Sequence, residues 1–286
     1  MKIFSLIILI SLVNFCALSQ VFTPVKFNDG VYQKENVLNK KPIKYTPLRE
    51  ADVQWSKRIW REVDMREKIN QSLYYPIDTI NGKISLLQLI FKGILSKNPE
   101  ESILAFEDDA FLRLKDTAKF REFVICQPKD SVQSEGVDSL GNTYVTMVLP
   151  KADPLWAFEE LKSIVIKEDW FFDKQKSVMD VRIIGIGFVL PRKCDKRDEI
   201  GEQFWVYFPQ IRPLLAKNEI YNTKNDAERR SFDDIFWKRQ FNSKITRESN
   251  VFDRGVDRYA VGLDALLENE RIKNDIFKYE HDFWQF

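Results

Sequence analysis

The sequence predicts an α+β fold, with N-terminal helices, a central antiparallel or mixed β-sheet and C-terminal helices. Three observations carry that prediction. Apolar residues before residue 125 recur at helical spacing behind helix caps. Between 143 and 208 they crowd into β-branched and aromatic runs with short polar connections. From 231 onward, capped and highly charged helical segments return. Blocks of one element type in series favour α+β over alternating α/β.

The first helix is predicted over 52–70. Trp55, Ile59 and Val63 recur every four residues and Trp60 widens the stripe, while Lys57, Arg58, Arg61, Glu62, Asp64, Arg66, Glu67 and Lys68 make a charged face. Ser85 with Gln88 three residues on is a capping box, and 86–95 is nearly all apolar, so a buried helix follows. Asn98-Pro99-Glu100-Glu101 has the cap, first-turn proline and acids of a third helix start. A short fourth helix fits 116–124.

Residues 127–142 read as a polar linker, after which the period changes. Strands are predicted over 143–149, 163–172, 177–190 and 202–208, with a helix from Asp153-Pro154 to about 162. The 173–176 interval has hairpin length, and polar 191–201 reads as a connection. Short links between successive strands favour antiparallel pairing. A short helix fits 209–216, and Ser231 with Asp234 opens another to about 241. The last spans 263–281, with a narrow stripe of Leu263, Leu266, Leu267, Ile272, Ile276 and Phe277.

The organisation expected is a signal peptide over 1–19, an extended arm over 20–48, an α+β domain over 49–254 and a charged helical tail over 255–286. Lys2, the apolar stretch that follows, and Ala17 and Ser19 at the small-residue positions make a secretory signal with a cut before Gln20. Bulky Phe15 before Cys16 argues against a lipoprotein cut there. The arm carries Pro24, Pro42 and Pro47 and an Asn28-Asp29-Gly30 turn.

Charge is balanced, with 44 Lys+Arg against 43 Asp+Glu, so no global field draws the chain to nucleic acid or an anionic membrane. The 22 Phe, 9 Tyr and 7 Trp support a substantial core and aromatic interfaces. Cys126 and Cys194 are free to pair or to stay as thiols.

Catalytic signals are weak. The single histidine, His281, lies near the C-terminus, where a base is hard to hold. No Cys or His cluster has metal-ligand spacing, and Glu107-Asp108-Asp109 lacks the pattern of a calcium loop, so it reads as solvated surface. Gly185-Ile186-Gly187 lies within a strand and lacks the third glycine of a dinucleotide fingerprint, so it marks a bulge or a close approach to the backbone. Asp169, Asp173 and Asp180 flank strands and leave open a hydrolase using paired carboxylates. Abundant aromatics leave open a soluble ligand-binding protein. No catalytic, cofactor or metal residue is assigned. The candidate contacts are Trp55, Arg58, Trp60 and Arg61, on a segment suited to core packing or to a protein–protein interface.

Four stretches together carry a resemblance. They are Trp55-Ser56-Lys57-Arg58-Ile59-Trp60-Arg61 with Asp64, Arg66-Glu67-Lys68-Ile69-Asn70 and Tyr74-Tyr75-Pro76; Glu168-Asp169-Trp170-Phe171-Phe172-Asp173 with Met179-Asp180-Val181-Arg182-Ile183-Ile184-Gly185-Ile186; Phe208-Pro209 with Arg212-Pro213-Leu214-Leu215-Ala216; and Ser231-Phe232-Asp233-Asp234-Ile235-Phe236 with Arg239, Phe241, Ser243 and Glu248-Ser249-Asn250. In this order the chain resembles the GldN/PorN family of the type IX secretion system, the export and gliding machinery of Bacteroidetes. The resemblance implies a non-enzymatic periplasmic subunit that self-associates in a ring. The ring would include the outer-membrane lipoprotein GldK/PorK and meet the periplasmic region of GldM/PorM. It implies attachment to the inner face of the outer membrane through that lipoprotein, with no direct membrane insertion, no nucleic acid and no cofactor. It carries over no catalytic residue, and the match is weakest after about Arg254.

Overall fold

A computed structural model describes residues 40–283, apart from 81, 100, 118–119, 121–131, 138–142, 149–155, 194–195, 223–224 and 226; at 132–137, 143–148, 156 and 192–199 the description is of the backbone. The expected signal peptide, most of the arm, and Cys16, Cys126 and Cys194 lie outside the described residues. The strands are β1 (Val53–Asp64), β2 (Ala105–Phe106), β3 (Val132–Val137), β4 (Thr143–Val148), β5 (Ser163–Asp173), β6 (Val178–Lys193), β7 (Lys196–Tyr207) and β8 (Lys244–Glu248). The helices are α1 (Gln71–Tyr74), α2 (Leu86–Leu95), α3 (Trp156–Glu159), α4 (Phe208–Lys217), α5 (Phe232–Trp237) and α6 (Leu263–Phe283). The class is α+β, as predicted.

The main correction is β1. The segment predicted as the first helix is the twelve-residue strand Val53–Asp64, paired antiparallel to β5 along its length. A spacing of four satisfies a strand as well as a helix, because four is twice the strand period of two. Lys57 and Arg61 interrupt the apolar side of that strand and hide its alternation. Nothing local could show that Arg61 is buried against a distant carboxylate.

The six-stranded sheet runs β2-β7-β6-β5-β1-β8, and each neighbouring pair is antiparallel. The predicted hairpin between β5 and β6 forms. Its loop is closed by Asp173, whose Oδ1 accepts from the backbone N–H of Gln175 at 2.9 Å. The stretch 191–201, predicted as a connection, extends this pattern instead: β6 and β7 run on to Lys193 and back from Lys196. The expected linker 127–142 contains β3, which pairs with β4 in a separate two-stranded sheet. Its polar residues hid a strand whose hydrogen bonds come from β4. The Asn98 signal closes one turn and no helix, with Ser102 N–H donating to Asn98 O at 2.9 Å. No apolar stripe follows to hold a helix there; the chain instead buries Ile103 and enters β2. The predicted 116–124 helix has helical backbone at Thr117 and Phe120, and the rest of that span lies largely outside the described residues.

The sheet is covered on both faces. On one face Val63, Ile164, Ile166, Ile186, Phe188, Phe204 and Val206 form the main core with α2, α4 and α5. The Ser85–Gln88 capping box is present, and α2 is buried on nearly every side. Phe188 and Phe204 stack with centroids 4.8 Å apart. Farther along the same face, Ile59 and Ile245 pack with Ile272 and Ile276 of α6. Burying each isoleucine is worth roughly 1.5–3 kcal/mol. The surface ion pairs of Arg271 with Glu268 and Asp275 add a few tenths each. Packing therefore holds α6 in place.

The opposite face carries Trp60, Val165 and Trp205, with Phe106 and Phe111 against them. Here the two strand glycines have their explanation. A Cβ on Gly187 would meet the Trp205 ring at 2.6 Å, and one on Gly185 would strike Phe111. A bulge also falls between Lys167 and Glu168, beside Gly185.

Gly187→Ala should cost about 1–3 kcal/mol in urea unfolding with the fold retained; an unchanged midpoint would mean that Trp205 has room to yield. At the predicted start of α5, Ser231 and Asp234 form a capping box, and Lys40 pairs with Asp234. Burial raises the Asp234 carboxyl, but Lys40 and the Ser231 donors outweigh it and hold the group below its ordinary value. Its contribution is therefore present at neutral pH and lost as pH falls below about 4. Asp234→Asn should flatten that part of the stability–pH curve, read by urea midpoints across the acid range.

Candidate functional site

The candidate contact residues alternate along β1, so they divide between the two faces of the sheet. Trp55 and Arg61 face the helix-covered side. Trp55 is half-buried against Tyr279 of α6, with ring centroids 5.3 Å apart. Arg58 and Trp60 face the other side. Arg58 is exposed and makes a two-pronged bond to Asp169 at 2.6 and 2.8 Å. Trp60 is buried. The four do not form one surface.

Of the four, Arg61 joins a set of inward-facing ion pairs. Glu168 on β5 is 0% exposed. It accepts from Arg61 Nε, from Arg239 Nη1 at 2.7 Å and from Arg239 Nη2 at 3.2 Å. Burial above all pulls the Arg61 guanidinium below its ordinary value; Glu168 opposes this and Arg239 adds to it. Trp170 lies against both guanidiniums, 5.6 Å from that of Arg61 and 5.5 Å from that of Arg239. Arg239 reaches this position because its backbone turns left-handed, with φ of 53°, and ends α5 short of the predicted 241. A non-glycine residue pays for that conformation with about 1–2 kcal/mol of strain, offset here by the bond to Glu168.

A second buried pair joins Arg212 of α4 to Asp233 of α5 at 2.9 and 3.2 Å. Tyr45 from the end of the arm lies over the Arg212 guanidinium at 4.4 Å and against Trp237. Arg182 donates to Thr46 O at 2.5 Å, which ties the same segment to β6.

On the opposite face, the 107–112 loop folds back on the sheet. Asp109 accepts from Trp60 Nε1 at 3.0 Å and pairs with Lys167 at 3.4 Å, while Lys167 also donates to Asp109 O at 2.5 Å. The expectation of a solvated acidic cluster fails for Asp109. Long-range folding brings it onto a buried lysine that no local pattern announces. Arg247 stacks on Trp60 at 4.2 Å. A cleft of about 710 Å³ lies beside these residues, bordered by Glu62, Glu202 and the 253–269 segment.

The acids that kept a hydrolase in view each have a structural partner. Asp169 is held by Arg58, Asp173 by its hairpin loop, and Asp180 accepts from Val181 N–H at 2.8 Å. His281 is largely exposed, 4.0 Å from Asp282. Among the described residues, no group of three or more His, Cys, Asp or Glu side chains is placed to hold a metal ion. No helix among them is long and apolar enough to cross a membrane. The segment after β8 exposes apolar side chains: Val251 at 98%, Phe252 at 74%, Val261 at 81% and Leu263 at 71%, with Leu266 and Leu267 beside them. Such a concentration is characteristic of a surface that another molecule covers. Of the six residues in the expected apolar stripe of α6, Ile272 and Ile276 are buried, whereas Leu263, Leu266, Leu267 and Phe277 are exposed.

The inward pairs join all four stretches of the motif series: Arg61 from the first, Glu168 from the second, Arg212 from the third, Asp233 and Arg239 from the fourth. A family model described as gliding motility associated protein GldN matches residues 48–285. The chain belongs to the GldN family. No curated protein matches it. The GldN match runs past Arg254, where the motif series ends, and takes in α6.

Glu168→Ala would leave two guanidiniums facing each other without a counter-charge. A loss of about 3–5 kcal/mol in urea unfolding is expected. Arg61→Met combined with Glu168→Leu should recover much of it, because Arg239, 27% exposed at its side chain, can turn to solvent. Equal loss in both variants would assign the cost to packing and not to charge.

Proposed function

We propose that this chain is a non-enzymatic, periplasmic structural subunit of the type IX secretion and gliding machinery. In this reading it self-associates in a ring with the outer-membrane lipoprotein GldK/PorK, which holds it at the inner face of the outer membrane. It also meets the periplasmic region of GldM/PorM. The observation that carries the reading is the GldN family match across residues 48–285. Two features support it. Five charged residues of the motif series, Arg61, Glu168, Arg212, Asp233 and Arg239, bind one another inside the fold, as suits a scaffold. The apolar residues exposed between Val251 and Leu267 offer surface for a protein partner. The amino-terminal export signal fits the compartment.

A clean deletion should abolish both gliding and export, and re-expression of the chain should restore them. A tagged copy purified from the native envelope should bring the lipoprotein with it. Normal secretion in the deletion strain, with no second gene of the family present, would overturn the reading.

A further inference from the structure

A cavity of about 470 Å³ opens between the 239–245 segment and α6, on the helix-covered face of the sheet. Arg61, Arg239 and Trp170 line it, with Lys244 and Lys273 nearer its edge. The volume is in the range that holds a small ligand or a ligand's head group.

Arg61 is only partly engaged on this lining. Glu168 is the one carboxylate bonded to both Arg61 and Arg239, so the three carry a net positive charge. Glu168 takes the Nε of Arg61 alone. The two terminal nitrogens of Arg61 have no acceptor among the described residues, although Arg61 is 91% buried by its 9% exposure. The Trp170 indole N–H beside it is also buried without an acceptor. The Arg61 nitrogens open to the cavity while the Trp170 N–H is a buried donor left unpaired, and an anionic group in the cavity would give both an acceptor. The other charged groups on the lining are two ion pairs and Glu67, which keeps its own negative charge. Lys273 pairs with Glu270 at 3.5 Å, Lys244 pairs outward with Glu62 at 2.9 Å, and Glu67 accepts from Asn70 at 3.3 Å.

We propose that this cavity is an anion site that takes a carboxylate or phosphate group on the terminal nitrogens of Arg61, with Lys273 at its edge. A guanidinium presents two parallel donors, which matches the two oxygens of either group. The proposal is independent of the assembly role.

The chain without residues 1–19 is titrated with sodium acetate, sodium phosphate and an acetylated, amidated tetraglutamate peptide at constant ionic strength. Thermal midpoint and tryptophan fluorescence are followed. A saturable rise of roughly 3–6 °C is expected at tenfold excess over Kd. Lys273→Glu, which leaves Glu168 and both arginines in place, should weaken binding by a factor of about 3–10. Arg61→Lys keeps the charge, loses the fork and should abolish the shift. Response to acetate and phosphate assigns the site to free anions; response to the peptide alone assigns it to carboxylates carried on a protein. No saturable shift with any of the three, or a shift that both variants leave unchanged, overturns the proposal.

Discussion

Glu168 is fully enclosed, and two guanidiniums from different parts of the chain meet on its carboxylate. Arg61 arrives from β1, the neighbouring strand, and Arg239 from the turn that follows α5. The contact ties the sheet, the α5 segment and the approach to β8 together at one point. A buried ion pair is weak support for stability as such, because desolvation offsets much of the attraction. Its consequence here is for register. Slipping β1 by one residue would carry Arg61 to the opposite face and leave Glu168 with Arg239 only. The same slip would pull Ile59 and Val63 out of the two cores they fill. Charge and apolar burial thus select one pairing of β1 with β5.

The opposite face obeys a steric constraint. Gly185 and Gly187 leave room for Phe111 and Trp205 to lie directly on the strand. Phe111 comes from the loop that also supplies Asp109 to Lys167 and Trp60. Both faces of β5 are therefore covered, which explains why its first six residues are all buried with no polar alternation. Antiparallel sheets commonly leave one face to water; this one does not.

Features written in neighbouring residues were legible. The helix opened by Ser231 and Asp234 starts where expected, and the Ser85–Gln88 capping box formed as read. So did the β5–β6 hairpin, because turn chemistry and β-branched runs are local. The strand β1 was not legible, for a reason in its spacing. Trp55, Ile59 and Val63 fit either period, and the residue that decides between them, Arg61, looks solvent-directed until Glu168 is placed opposite. The close packing at Gly185 and Gly187 was readable as such, but the residues that pack there lie in a loop and in β7. The functional arrangement was illegible for the same reason. Arg61, Glu168 and Arg239 are separated by 107 and 71 residues, so no window of sequence holds them together.

Part of the motif series that marks the family thus serves the interior of the fold, while Arg58, Arg66, Ile69 and Tyr75 within it stay exposed. Arg61, Glu168, Arg212, Asp233 and Arg239 are engaged with one another, and Trp60 lies under Arg247. Buried pairs of this kind are silent about what the outer surface touches. Surface that remains for recognition lies elsewhere, on side chains the fold does not use. The 251–267 segment is such a place: Val256 anchors it to the second core while Val251, Phe252 and Val261 point away. One anchored residue among several exposed ones presents a surface without weakening the core beneath it. The division is between interior positions constrained by charge and register, and an outer rim free to match whatever it meets.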